Sequence, residues 1–177
     1  MCDIEKILKG TIRDVPNFPK EGIVFKDIST IMTNPKVSNQ ILDHLVDVYK
    51  DSPITKIAGI ESRGFLFGYP LAMRLNLPFV LIRKEGKLPY EKVKHSYDLE
   101  YGSATIEMHT DAVQENDQVL IHDDLLATGG SAEAAAKLIT SQGAKVYGFN
   151  FLVYLSFLGG KRKLDTYTKN IINLANY

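Results

Sequence analysis

The sequence predicts an α/β domain, a mostly parallel twisted sheet flanked by helices on both faces. Three observations carry that prediction. Four short apolar runs, KIAGI (56–60), PFVLI (78–82), QVLIH (118–122) and KVYGFNFLVYL (145–155), are bounded and composed like buried strands. Segments with helical character separate them, which is the alternation that builds a parallel sheet with helices on its faces. The 177 residues contain no repeat, low-complexity tract or Gly/Ser linker, so residues 1–177 are expected to form one unit.

Along the chain, Ile4 to Leu8 reads as a short amphipathic helix, and VPNFPKEG (15–22) as a Pro-rich turn. In SNQILDHLVDVYK (38–50), Ile41, Leu42, Leu45, Val46 and Tyr49 recur at helical spacing behind an Asn-Pro breaker. GFLFGYPLAMRL (64–75) is apolar nearly all round and predicts a buried helix with Pro70 near its middle. RKEGKLPYEKVKHS (83–96) is polar, holds Gly and Pro, lacks periodicity and reads as a loop or flap. YDLEYGSATIEMH (97–109) resembles two strands around Gly102, so 83–109 is expected to be an irregular insertion. SAEAAAKLITSQ (131–142) is a helix ending at Gly143. The basic KRK at 161–163 reads as a solvated turn.

Composition narrows the function classes. Apolar residues make up 45% and charged ones 24%, as in ordinary globular proteins. The 21 basic and 21 acidic residues balance, which argues against a nucleic-acid partner. One cysteine, Cys2, excludes an internal disulfide and a cysteine-cluster metal site. No run approaches the roughly 18 apolar residues of a membrane span, and MCDIEKILKG lacks the apolar core of a signal peptide. A cytoplasmic location is the expectation.

The chemistry concentrates in VLIHDDLLATGGS (119–131). Asp123 and Asp124 follow an apolar run, and a loop without bulky side chains, Ala127, Thr128, Gly129, Gly130 and Ser131, leads into a helix. In an open α/β sheet, ligands bind at the carboxyl ends of strands. Backbone N–H groups and a helix dipole there suit an anion such as a phosphate, and Ser131 can cap the helix or donate to a phosphate oxygen. Carboxylates accept hydrogen bonds from vicinal hydroxyls. Phosphate plus cis-diol is a ribose 5-phosphate. Read alone, the same segment also fits a plain βα turn with surface aspartates. It is neither a Walker loop nor a GxGxxG fingerprint.

Other segments offer further anion partners. IESRG (60–64) places Ser62 and Arg63 between a core strand and a helix, a second cradle whose bland alternative is a surface ion pair. Arg83, Lys84 and Lys87 put three cations into five residues near a strand end, suited to a multiply charged leaving group or simply solvated. Phe25 in GIVFKDIS can stack on a flat ligand ring or pack in a core.

VLIHDDLLATGGS closely resembles the phosphoribosyl-pyrophosphate motif of the type I phosphoribosyltransferases. Together with NFPKEGIVFKDIS (17–29), AGIESRGFLFG (58–68), VLIRKEGKLP (80–89) and YDLEYGSATIEMH (97–109), it resembles the adenine phosphoribosyltransferase family over nearly the whole chain. The resemblance implies a type I phosphoribosyltransferase fold with a flexible flap (hood) insertion at 83–109 and a base-pocket segment at 1–30. It implies transfer of the phosphoribosyl group of 5-phosphoribosyl 1-pyrophosphate to N9 of adenine, giving AMP and pyrophosphate. Asp123 and Asp124 would hold the ribose hydroxyls and Ala127 to Ser131 the 5-phosphate. Ser62, Arg63, Arg83, Lys84 and Lys87 would hold the pyrophosphate, across a turn that in the family often carries a non-proline cis peptide. Phe25 and Leu125 would sandwich the base while backbone groups of Val24 and Lys26 read its edge. Glu100 would exchange a proton with N7, with Tyr101 beside it on the flap. Mg²⁺ would be required, held mainly by pyrophosphate and ribose oxygens, with no dedicated protein ligands. A homodimer is also implied, sometimes with Arg83 or Lys84 reaching into the neighbour's site. A sister enzyme for a 6-oxo purine, or a non-catalytic sensor of phosphoribosyl pyrophosphate, would share the sugar-phosphate motif.

Three residues depart from the family pattern. Lys26 stands where arginine is usual and lacks its planar fork. Ser131 stands where threonine is usual and keeps the hydroxyl. His122 stands where an apolar residue is common and reads as a buried histidine paired with an aspartate, or as a modest pH-dependent influence on ribose binding.

Overall fold

The computed structural model describes residues 3–98 and 102–177. A seven-stranded sheet organises the chain, with spatial order β5-β6-β4-β3-β7-β8-β9. Its strands are β3 (Lys56–Ile60), β4 (Phe79–Lys84), β5 (Lys92–Asp98), β6 (Ser103–His109), β7 (Gln118–Leu126), β8 (Lys145–Tyr154) and β9 (Ile171–Asn176). The pairs β3·β4, β3·β7, β7·β8 and β8·β9 are parallel, whereas β4·β6 and β5·β6 are antiparallel. The mostly parallel sheet read from the sequence is therefore present, with an antiparallel hairpin at one edge.

Both faces of the sheet are covered. One core gathers β-strand residues such as Ile82, Met108, Phe149 and Phe151 under α5 (Gly130–Ser141). Alanine favours the helical state, and buried Ala132, Ala134, Ala135 and Ala136 let α5 lie close on the strands. The opposite core joins α1 (Ile4–Thr11), α3 (Pro35–Tyr49) and α4 (Gly64–Leu75) to Ile57, Leu120, Leu152 and Leu174. Asn34 caps α3 by accepting from the Val37 N–H ahead of Pro35 at the first turn, and Ile41, Leu42, Leu45 and Tyr49 form its buried stripe.

Several expectations are corrected. The segment 83–96 is not an irregular loop: β4 runs to Lys84 and β5 begins at Lys92, making an extended hairpin with β6 whose turn carries Gly102 at positive φ. Charged residues on one exposed face hide the start of that hairpin from an apolar-run reading, because its burial alternates. Helix α4 is not buried all round; Phe67, Leu71 and Ala72 face the core, but Leu66, Tyr69 and Met73 point outward. The N-terminal turn is framed by a two-stranded ribbon of β1 (Arg13–Pro16) and β2 (Val24–Asp27). Ser29–Met32 forms a short helix, α2, and Lys161–Leu164 another, α6, where a solvated turn was expected. Strand β9 completes the sheet beyond the four runs visible in the sequence.

Candidate active site

Strand β7 delivers the central carboxylates. The sequence places Asp123 and Asp124 after the strand, but the strand runs through them to Leu126, and Asp123 pairs with Phe151 of β8. Asp124 is only 3% exposed, so these are not surface aspartates. The Asp124 N–H donates to Asp123 Oδ1 at 2.9 Å. Burial, together with the neighbouring Asp124 charge, pushes the Asp123 carboxyl well above the usual range. Burial raises Asp124 as well, and Arg63 opposes that rise. Arg63 Nε lies 3.0 Å from Asp124 Oδ2. The contact is an ion pair without hydrogen-bond alignment, because that oxygen has no hydrogen-bond partner.

After β7 the chain turns through Gly129, whose φ of 79° favours glycine, and enters α5 at Gly130. Gly129, not Ser131, occupies the N-cap position, and no side chain caps the helix. The Ser131 hydroxyl instead meets Tyr97 Oη of β5 at 2.9 Å. The uncapped N–H groups of the first turn face a cleft of about 230 Å³ lined by Arg63, Tyr97, Asp98, Asp123, Asp124 and residues 125–132. Carboxylates and an N-terminal helix turn thus share one cavity. From behind, Gly160 backs the turn so closely that a Cβ there would overlap the Ala127 carbonyl oxygen and come within 2.7 Å of the Gly129 nitrogen.

Arg63 also connects the carboxylates to the N-terminal ribbon, its guanidinium carbon lying 5.9 Å from the centre of the Phe25 ring. Phe25 meets Phe18 edge-on at 5.3 Å, and Val15, Phe18, Phe25 and Asp27 line an apolar recess of about 240 Å³. Val24 is exposed. Lys26 turns its ammonium away, to Asp14 at 2.6 Å and over the Tyr177 ring at 4.1 Å. Because β2 has only one partner strand, its other edge leaves backbone groups open to a ligand. Leu125 is half-buried and packs against the α3/α4 core.

The peptide Glu61–Ser62 is cis, as the resemblance implied. Glu61 holds the cationic segment: Arg83 Nη2 donates to its Oε1 at 2.9 Å and the Lys84 N–H to its Oε2 at 3.0 Å. The Arg83 bond keeps the Glu61 carboxyl below its ordinary range. Arg83 Nη1 also donates to the Lys87 carbonyl. Glu107, buried on β6, accepts the Lys87 and Leu88 N–H groups at 3.0 and 2.8 Å. Burial raises its pKa, but these backbone donors and Lys92 outweigh that and hold it low. Glu61, Tyr97, Glu107 and Gly160 were missed by sequence reasoning. Glu61, Tyr97 and Glu107 lay inside quoted motifs and only Gly160 lay outside them, but each meets its partner through a chain reversal that no local pattern encodes.

His122 is fully buried and its Nδ1 lies 2.7 Å from Asn150 Oδ1, so its partner is Asn150 and not an aspartate. Burial lowers its pKa to about 4, against a partial rise from the Asn150 bond. It is neutral at physiological pH and has no protonation step there to influence ribose binding. Glu100 and Tyr101 lie outside the described residues. Among the described residues no cluster of three or more His, Cys, Asp or Glu could hold a metal, and no helix is long and apolar enough to cross a membrane.

A family model for a phosphoribosyl transferase domain matches residues 27–174. The adenine phosphoribosyltransferase of Haemophilus influenzae is 47% identical over 171 residues, 97% of this chain and 95% of that protein. The structure of adenine phosphoribosyltransferase from Thermoanaerobacter pseudethanolicus superimposes with a TM-score of 0.92 at 46% identity, covering 98% of this chain and 99% of that one. That of Saccharomyces cerevisiae, complexed with an imino-altritol bisphosphate and adenine, gives 0.90 at 40% identity over 98% and 99% of the two chains. The carboxylate pair, the helix turn beyond it and these matches agree: the chain belongs to the phosphoribosyl transferase family, in the adenine phosphoribosyltransferase group.

Proposed function

We propose that this protein transfers the phosphoribosyl group of 5-phosphoribosyl 1-pyrophosphate to N9 of adenine, giving AMP and pyrophosphate. The observation that carries the reading is one cleft holding a buried aspartate pair, a cation and the open first turn of α5. Asp123 and Asp124 accept the ribose hydroxyls, and residues 127–131 hold the 5-phosphate through backbone donors and the Ser131 hydroxyl. Ser62, Arg63, Arg83, Lys84 and Lys87 bind the pyrophosphate. Phe25 and Leu125 flank the base, with Val24 and Lys26 backbone groups at its edge. An amino-reading carbonyl there leaves a 6-oxo purine facing an unpaired acceptor.

Glu100, with Tyr101, manages the proton at N7 from a flap built on the β5–β6 hairpin, which excludes water when it closes. Mg²⁺ fits this donor set as an ion arriving on the substrate, since the described residues offer a carboxylate pair but no cage. Bound there, it would neutralise pyrophosphate charge, while Asp123 and Asp124 hold the ribose hydroxyls. A homodimer is supported by the outward apolar cleft of Phe65, Leu66, Tyr69, Phe79 and Leu81. A cytoplasmic location belongs to the same reading and rests on the lone cysteine and the lack of an apolar span in the sequence.

The test offers phosphoribosyl pyrophosphate and Mg²⁺ with adenine, hypoxanthine, guanine or xanthine separately. AMP formation from adenine alone, lost in Glu100→Gln, supports the reading. Turnover of a 6-oxo purine overturns the base-pocket assignment, and tight binding without turnover overturns the catalytic one.

A further inference from the structure

Tyr97 sits near the end of β5, three residues before Glu100, and half-buried. Its ring lies against the first residue of α5: a Cβ on Gly130 would stand 3.4 Å from Cδ2 and 3.7 Å from Cε2. From that position its hydroxyl reaches Ser131 Oγ at 2.9 Å, and either oxygen can be the donor. Among the described residues a pair of hydroxyls thus joins the flap hairpin to the anion turn at the wall of the cleft.

A phosphate dianion only accepts hydrogen bonds. Ser131 has one proton, so donating it to a phosphate leaves its lone pairs to be filled by another donor. Tyr97 is the side-chain partner of Ser131 Oγ among the described residues, and a phenol is a stronger donor than an aliphatic alcohol. With phosphate in place, the direction of the pair is settled: Tyr97 O–H to Ser131 Oγ, and Ser131 O–H to phosphate. Each bond in such a chain polarises the next.

We propose that Tyr97 is a positioning residue for the 5-phosphate, acting through Ser131 and tying the base of the flap to the occupied phosphate turn. This rests on the reading of residues 127–131 as the phosphate site. Phosphate occupancy strengthens the link between β5 and α5, and so steadies the strand that leads to Glu100.

The experiment is calorimetric binding of AMP and of adenosine to the wild-type chain, Tyr97→Phe, Ser131→Ala and the double variant. Phenylalanine keeps the ring over Gly130 and removes only the hydroxyl. The expected result is AMP weakened about 5- to 10-fold in Tyr97→Phe with adenosine unchanged, as for loss of one hydrogen bond. In the Ser131→Ala background, Tyr97→Phe should cost nothing further, because the relay is already broken. An undiminished preference for AMP over adenosine in Tyr97→Phe, or equal loss of both ligands, overturns the proposal. So does full additivity in the double variant. If the wild-type chain itself shows no preference for AMP over adenosine, the phosphate-site reading fails and takes the proposal with it. Ser131→Ala provides the second test, since it should produce the same phosphate-selective loss with Tyr97 intact.

Discussion

Arg63 Nε and Asp124 Oδ2 stand 3.0 Å apart at the mouth of the cleft, paired by charge but not aligned as a hydrogen bond. The carboxylate is buried and the arginine side chain is 42% exposed. The pair is asymmetric: Asp124 is fixed in β7, while Arg63 sits in a turn and can exchange this partner for an incoming anion.

Arg63→Gln should therefore weaken phosphoribosyl pyrophosphate binding by about 10- to 100-fold, the range for losing charge-assisted bonds. Stability should barely respond, because a partly exposed ion pair contributes about 1 kcal/mol or less. Titration calorimetry and thermal unfolding separate the two effects. Unchanged affinity would remove Arg63 from the site.

Asp123→Asn should raise the melting temperature at pH 7 while weakening ribose-phosphate binding. The carboxyl's pKa is raised in the folded chain, so the native state binds its proton more tightly than the unfolded state does. Stability from this group is present at low pH and is lost as pH rises from the ordinary value of 3.8 through the raised one. The amide cannot lose a proton and keeps an oxygen for the Asp124 N–H. Unfolding followed from pH 4 to 8 should show the gain growing with pH, about 2–4 °C for each kcal/mol. A variant less stable than wild type at pH 7 would contradict this account.

His122 acts in the opposite sense. Its pKa falls from 6.5 to about 4, so its contribution is full above pH 6.5 and is lost as pH falls through about 4. The difference corresponds to about 3 kcal/mol. His122→Gln should flatten that acid limb and leave the pH dependence of turnover near neutrality unaltered. Urea unfolding at pH 7, 5.5 and 4.5 measures the slope, and an unchanged slope would place the acid sensitivity elsewhere.

Gly160→Ala probes the turn from outside the cleft. The added methyl overlaps the Ala127 carbonyl and crowds the Gly129 nitrogen, so the turn must move. Overpacking of this kind costs about 1–3 kcal/mol, and displacement of the phosphate donors should raise KM for phosphoribosyl pyrophosphate about tenfold or more. Steady-state kinetics with adenine saturating would measure it. An unchanged KM would show that the turn tolerates displacement.

What the sequence determined by itself is whatever depends on neighbours along the chain. Strands β3, β4, β7 and β8 were legible because parallel strands covered on both faces become continuous apolar runs. The stretch from His122 to Ser131 was legible because a strand end, carboxylates, glycines and a helix start are consecutive residues. Tertiary structure alone decided the rest. The two strands around Gly102 were legible, but β5 from Lys92 to Ser96 is exposed on one side and rich in charge, so no apolar run marks it. Helix α4 reads as buried from composition, yet its outward face is settled by which side meets β3 and β7. His122 meets Asn150 only because β7 and β8 align in register. Tyr97 reaches Ser131 across 34 positions, and Glu61 grips Arg83 across 22. Local spacing sets which groups a segment can offer; chain reversal and strand register set which of them meet.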